Sequence, residues 1–126
     1  MPSAARLRVV RDRLLTLHKA LLDGERARYE AVHGPVRTSG EMLQLVLGHE
    51  HFAWLRAFSG LIVRIDEWLA SDEPTDEEAD ACWEAADHLT TPAAAGHDSP
   101  AGRYRSLIDE APEVAAAHAA VRQALV

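Results

Sequence analysis

Apolar residues recur every three or four positions along most of the chain, the spacing typical of one face of an α-helix. The clearest stripe runs through Leu47, His51, Trp54, Phe58, Leu61, Ile65 and Trp68. Beside it lies a second stripe, Leu55, Ser59, Ile62, Asp66 and Leu69. Two adjoining stripes predict a helix that is buried along most of one side. The few polar residues on that side are therefore where chemistry is expected.

The N-terminal third shows the same pattern and predicts a first helix from about Ser3 to Val32. Its first stripe is Leu7, Val10, Leu14, Leu17 and Leu21, and its adjoining stripe is Arg11, Leu15, His18, Leu22, Glu25, Tyr29 and Val32. The sequence His33-Gly34-Pro35 ends this helix, because glycine accepts a left-handed cap and proline blocks continuation.

Capping residues and prolines mark the remaining boundaries. Thr38 with Glu41 begins a second helix, which runs to about Ser71 with a kink or short break near Gly48. Thr75 begins a third helix, and a loop follows over residues 90–101.

The last helical region has two signals of its own. Ser99-Pro100 supplies an N-cap and a first helical residue, and Pro112 is predicted to split the region that ends near Leu125. No segment shows the alternation of a strand. The prediction is a single all-α domain over residues 1–126, folded as an up-down four-helix bundle. In an antiparallel pair, residue n of helix one should face roughly residue 71 minus n of helix two.

Composition narrows the function. The net charge of −7 argues against nucleic-acid binding, and the apolar runs are too short to span a membrane. The N-terminal residues lack the apolar block of a signal peptide, and Cys82 is the single cysteine, so we expect a cytoplasmic protein.

Charge is unevenly spread, and two interpretations are open. Residues 6–28 hold seven of the thirteen basic residues, whereas residues 66–80 hold eight acids and no base. The acidic block is either a surface for a basic partner or a divalent cation, or it faces the basic block inside the molecule. In the second case Asp66 pairs with Arg6, Arg8 or Arg11.

Four of the polar residues within the apolar stripes are candidate metal ligands. His18 and Glu25 lie in helix one and His51 in helix two, and His118 lies on the last stripe, with Val114, Val121 and Leu125. Three imidazoles and a carboxylate meeting at mid-bundle would suit Zn, Mn, Fe or Ni, so these four are the predicted metal ligands. The alternative is a structural network in which each histidine is hydrogen-bonded at the core edge and binds nothing. His49-Glu50-His51 is not itself a metal motif, because residues two apart point to nearly opposite sides of a helix.

Two further hypotheses concern partners. The aromatic residues are predicted either to be plain core or to line a pocket for a small apolar ligand; they are Tyr29, Trp54, Phe58, Trp68, Trp83 and Tyr104. The apolar flank of helix two exceeds what one neighbour covers and predicts a homodimer; it includes Leu43, Leu45, Val46 and Phe52. Cys82 is predicted to be a small buried thiol rather than a nucleophile.

The segments LHKALLDGERARYE, FAWLRAFSGLIVRIDEWL and AAAHAAVRQAL resemble small uncharacterised bacterial helical proteins. In layout the chain is also similar to DinB-like metal-binding bundles, in which His49 or His51 would stand for the helix-two histidine. The HxxxH pair of that family does not occur in this sequence. We therefore expect a bacterial binding or interaction module, with a DinB-like metal-dependent hydrolase or transferase as the alternative.

Overall fold

The computed structural model describes residues 2–92, 96 and 99–126, and all secondary structure in that part of the chain is helical. The all-α prediction is confirmed, but the arrangement as a four-helix bundle is not, because the described residues form more than four helices. There are seven: α1 (Ala4–His33), α2 (Ser39–Gly48), α3 (Glu50–Ala53), α4 (Arg56–Ala70), α5 (Asp76–Leu89), α6 (Pro100–Glu110) and α7 (Pro112–Ala124). None of them is long and apolar enough to cross a membrane.

Most helix ends follow the capping signals of the sequence. The side-chain oxygens of Ser3, Thr38, Thr75 and Ser99 each accept a hydrogen bond from the backbone N–H three residues later. Each satisfies one of the donors that a helix start leaves unpaired. Gly34 closes α1 with φ 86°, a backbone conformation that favours glycine. The predicted loop over residues 90–101 lies partly outside the described residues.

Extended backbone interrupts the longer predicted helices at two points. The first comes at His49, one residue after Gly48, where the backbone is extended and the His49 Nδ1 accepts the His51 N–H at 3.1 Å. The second comes at Ala111, which is extended before Pro112. Proline lacks the N–H that would continue the ladder from α6, so α7 starts as a new helix.

The core forms around the first stripe of α1. Leu7, Val10, Leu14, Leu17 and Leu21 are all fully buried, as predicted. α1 packs mainly on α7 and α4, α4 on α5, and α6 on α7. These contacts bring the polar residues of α1 beside α3, α4 and α6.

The adjoining stripes are only partly buried. Leu15 and Val32 of the adjoining α1 stripe were expected in the core but are 44% and 79% exposed. Leu47, the first residue of the clearest stripe, is 67% exposed. The extended backbone at His49 ends α2 between Leu47 and the rest of its stripe, so the stripe is not continuous across that point.

The break also changes the predicted register. The expected pairing sets Arg11 opposite residue 60 and Glu25 opposite residue 46. Instead, Arg11 donates two hydrogen bonds to Asp66, at 2.8 and 3.3 Å, and Glu25 contacts His51 and Trp54. The expectation that Asp66 pairs with an arginine of the first helix is confirmed, and the two charge blocks meet there within the molecule.

A glycine lets α6 come close to α1. A Cβ on Gly24 would lie 2.7 Å from Cδ2 of Leu107, less than carbon atoms tolerate. Without that side chain, α6 approaches the residue next to Gly24, which is Glu25.

Candidate functional site

The carboxylate of Glu25 is the polar centre of the site and is fully buried. It accepts hydrogen bonds from Trp54 Nε1 at 2.9 Å, Arg28 Nη1 at 3.2 Å and Arg103 Nη1 at 3.4 Å. A buried carboxylate is tolerated only when it is paired and hydrogen-bonded, and these three donors meet that requirement. Arg28 also binds Glu110 at 2.8 Å, which extends the network to the surface.

His51 joins the network beside Glu25. Its Nε2 lies 3.0 Å from the Glu25 backbone carbonyl, so this nitrogen carries the proton and donates it. The same Nε2 is 3.5 Å from Glu25 Oε2. Arg103 donates to the His51 carbonyl at 3.0 Å. α1, α3 and α6 are thereby tied together at one point.

His118 forms a separate pair with Tyr104. Its Nδ1 lies 2.6 Å from the Tyr104 hydroxyl. Burial, with a smaller contribution from the Arg122 charge, lowers the pKa of His118 below its ordinary value. The ring is therefore neutral at pH 7, and Nδ1 accepts the hydroxyl proton. Burial also raises the pKa of Tyr104, which keeps that proton in place.

His18 is the remaining predicted ligand. It lies half-buried on α1, and burial lowers its pKa. Its side chain makes no hydrogen bond or ion pair with any residue that the structure describes. The structure therefore brings together Glu25 and His51, and leaves His18 and His118 in other surroundings.

Glu25 and His118, two of the predicted ligands, already have protein partners at the atoms that would bind a metal ion. Both Glu25 oxygens accept protein hydrogen bonds, and the His118 Nδ1 is used by Tyr104. Within residues 2–92, 96 and 99–126, no three histidine, cysteine or acidic side chains are placed to hold a metal. The metal centre stays a prediction without geometric support.

Trp54 also lines an aromatic pocket, of which Glu25 is not a lining residue. Its cavity of about 230 Å³ opens between the junction of α3 and α4, the end of α5 and the start of α6. The rings of Trp54, Phe58 and Tyr104 contact each other there. Phe58 is edge-on to both neighbours, with ring centroids 6.0 Å from Trp54 and 5.5 Å from Tyr104. Leu89, Pro92 and Pro100 complete the apolar wall, and His88 and Thr91 also line the cavity.

The two polar pairs hold the walls of this pocket. Glu25 fixes the indole of Trp54 through Nε1, and His118 fixes the ring of Tyr104 through its hydroxyl. Each aromatic ring is tied at its polar end and presents apolar surface elsewhere. Glu25 and His118, two polar residues within the apolar stripes, thus hold aromatic side chains in place.

The remaining aromatic residues lie elsewhere. Trp68 donates its Nε1 to the Thr75 carbonyl at 2.7 Å, and the guanidinium of Arg6 lies 4.5 Å from the Trp83 ring. Tyr29 stacks on His33 and contacts the rings of His49 and His51. Of the six residues predicted to line a pocket, three line this cavity, and Trp68 borders a separate depression at the end of α4.

Sequence reasoning missed the role of Arg103, Arg28 and Trp54 around Glu25. A signal was present, because a buried indole N–H or phenol O–H requires an acceptor and the stripes contain few acceptors. Cys82 is buried, as predicted, and burial together with the neighbouring Glu78 raises its pKa to about 11, which suits an inert thiol. Compared with known proteins, the chain matches no protein family, no curated protein and no solved structure.

Proposed function

We propose that the protein is a binding module that takes a small, planar, apolar ligand between Trp54, Phe58 and Tyr104. One observation carries the proposal: both outer rings of the cavity are tied at their polar ends, by Glu25 and by His118. Walls whose side chains are already fixed lose little conformational entropy when a ligand binds, and this preorganisation favours affinity.

Cavity volume indicates the ligand class. An apolar cavity of about 150 Å³ is known to bind benzene. The pocket here measures about 230 Å³, which suits one aromatic ring with a substituent or two fused rings. Thr91 already donates its hydroxyl to the Asp87 carbonyl at 2.8 Å. His88, and the Thr91 hydroxyl oxygen as an acceptor, can meet one polar substituent, and the ligand is otherwise apolar.

The fold supplies the support for this site. We propose that α1, α4, α5 and the α6–α7 pair correspond to the four principal segments of a bundle, with α2 and α3 as the link between α1 and α4. A cytoplasmic location also belongs to the proposal; Cys82 is the only cysteine of the sequence and its thiol is buried.

Titration calorimetry with indole tests the proposal. We expect saturable binding with a dissociation constant of about 1 mM or tighter, which corresponds to about −4 kcal/mol. The Ala57→Trp variant places a ring at the pocket wall and should weaken binding at least tenfold. Ala70→Trp is the matched control, because Ala70 is an exposed alanine at the far end of α4.

Two results would count against the proposal. One is the absence of saturable binding by the wild-type protein for both indole and toluene. The other is unchanged indole affinity in folded Ala57→Trp protein, which would place the ligand elsewhere.

A further inference from the structure

Helix α2 is the part of the fold that is least covered by the rest of the molecule. Half of its ten residues are apolar, yet none of its residues is buried. Leu43 and Leu47 are 58% and 67% exposed. An apolar helix normally buries its apolar face against a neighbouring element. Met42, Leu45 and Val46 are partly buried against the core, so one side of α2 is covered, and Leu43 and Leu47 lie outside that contact.

A groove lies beside this helix. α1 and α2 border a depression of about 440 Å³. Four apolar residues line it, Leu22, Met42, Leu43 and Val46, together with four polar ones, Arg26, Arg37, Thr38 and Ser39. Leu15, one heptad before Leu22 on α1, continues the apolar surface and is also exposed. We define the α2 face as Leu15, Leu22, Met42, Leu43, Val46 and Leu47.

We infer that the α2 face binds a second copy of this chain, with the two α2 helices antiparallel about a twofold axis. The same face carries both the exposed leucines, Leu43 and Leu47, and a groove that is apolar on the side of Leu22, Met42 and Val46. A twofold interface requires such a self-complementary surface, because each copy supplies the same residues. An axis through the middle of α2 sets Leu47 of one copy over the N-terminal half of α2 in the other, next to the groove.

Charge complementarity favours this arrangement. Arg37 lies two residues before α2 and Glu50 two residues after it. Both are exposed, and neither side chain forms an ion pair with any residue in the described ranges. Antiparallel pairing places Arg37 of each copy near Glu50 of the other, whereas parallel pairing would place like charges together.

The distribution of charge also permits close approach. Two copies with a net charge of −7 repel each other, but eight of the acids lie in residues 66–80. Residues 37–50 carry only Arg37, Glu41 and Glu50 as charged side chains. The α2 face is therefore a place where two acidic molecules meet with little repulsion.

The expected affinity follows from size. Ten helical residues span about 15 Å, so the α2 face is at or below the roughly 800 Å² per partner of a standard interface. A dimer with a micromolar dissociation constant is expected, so its population depends on protein concentration.

Sedimentation velocity over a concentration series tests the inference. We expect wild-type protein to be mainly dimeric at about 100 µM and to dissociate on dilution. Leu47→Glu should be monomeric throughout. Val63→Glu is the control, because Val63 is an exposed valine on α4 outside the α2 face, and it should remain dimeric. Circular dichroism of both variants checks that they are folded.

A charge exchange tests the antiparallel geometry. Arg37→Glu and Glu50→Arg should each weaken the dimer several-fold, and the double variant should recover the wild-type affinity. A wild-type monomer at all concentrations, or a dimer in folded Leu47→Glu protein, would overturn the inference. Failure of the double variant to recover affinity would overturn the antiparallel pairing. None of these outcomes depends on the aromatic pocket.

Discussion

Replacing Glu25 by alanine tests the network that holds Trp54. The change removes a fully buried carboxylate and leaves three donors without their acceptor, namely Trp54 Nε1 and one guanidinium nitrogen each of Arg28 and Arg103. Removing one partner of a buried ion pair costs about 3–5 kcal/mol. Arg28 and Arg103 side chains are 28% and 27% exposed, so they regain some water, which places the cost near the lower end.

We therefore expect Glu25→Ala to lower the free energy of unfolding by about 3 kcal/mol. Glu25→Gln keeps the shape and an acceptor for Trp54 but loses the charge, and we expect a loss of about 1–2 kcal/mol. Urea denaturation followed by circular dichroism measures both. Glu84→Ala is the control: Glu84 is exposed in α5, and its loss should stay within about 0.5 kcal/mol.

The order of stability among these variants decides whether the Glu25 carboxylate holds the surrounding donors. A Glu25→Ala protein as stable as the Glu84→Ala control would show that the carboxylate does not hold the surrounding donors. The ligand titration adds a second measurement, because folded Glu25→Gln protein should keep indole affinity while Glu25→Ala should lose it as Trp54 is released.

Three further predictions concern acid, thiol chemistry and glycine. The folded-state pKa values of His18 and His118 lie below the ordinary 6.5, so the unfolded chain binds more protons than the folded protein. The free energy of unfolding should therefore fall as the pH drops below about 6.5. A urea midpoint at pH 5 equal to or above that at pH 7.5 would contradict this. Cys82 should resist a thiol reagent at pH 8 in native protein and react fully in urea, because it is buried with a pKa of about 11; equal rates in both would refute the assignment. Gly60→Ala on the open face of α4 should raise stability by about 0.5–1 kcal/mol. Gly102→Ala should lower stability, because its Cβ would lie against the Gly96 carbonyl. Thermal unfolding of both variants measures the order, and the opposite order would refute the prediction.

Local signals in the sequence predicted most of the helical structure. The first stripe of α1 was correct at every position because one uninterrupted helix keeps its phase over thirty residues. The caps at Thr38, Thr75 and Ser99 and the split before Pro112 were also confirmed, since each depends on a few neighbouring residues. These features do not require knowledge of how distant helices align.

The candidate site depends on such alignment and was predicted only in part. The register between α1 and α4 is set by the turn after α1 and by the extended backbone at His49, and neither offset is visible in an apolar pattern. Glu25 and His51 were correctly placed near each other. Trp54 and Arg103 were missed as partners, because their contacts with Glu25 join residues far apart in the chain.

The measurement that tests the central claim most directly is a map of nuclear Overhauser contacts between bound indole and the protein. We expect contacts with the ring protons of Trp54, Phe58 and Tyr104, with a shift of the Trp54 Nε1–H signal. Contacts at Trp68, Trp83 or the α2 face instead would contradict the proposed site, as would the absence of any contact with these three rings at saturating indole.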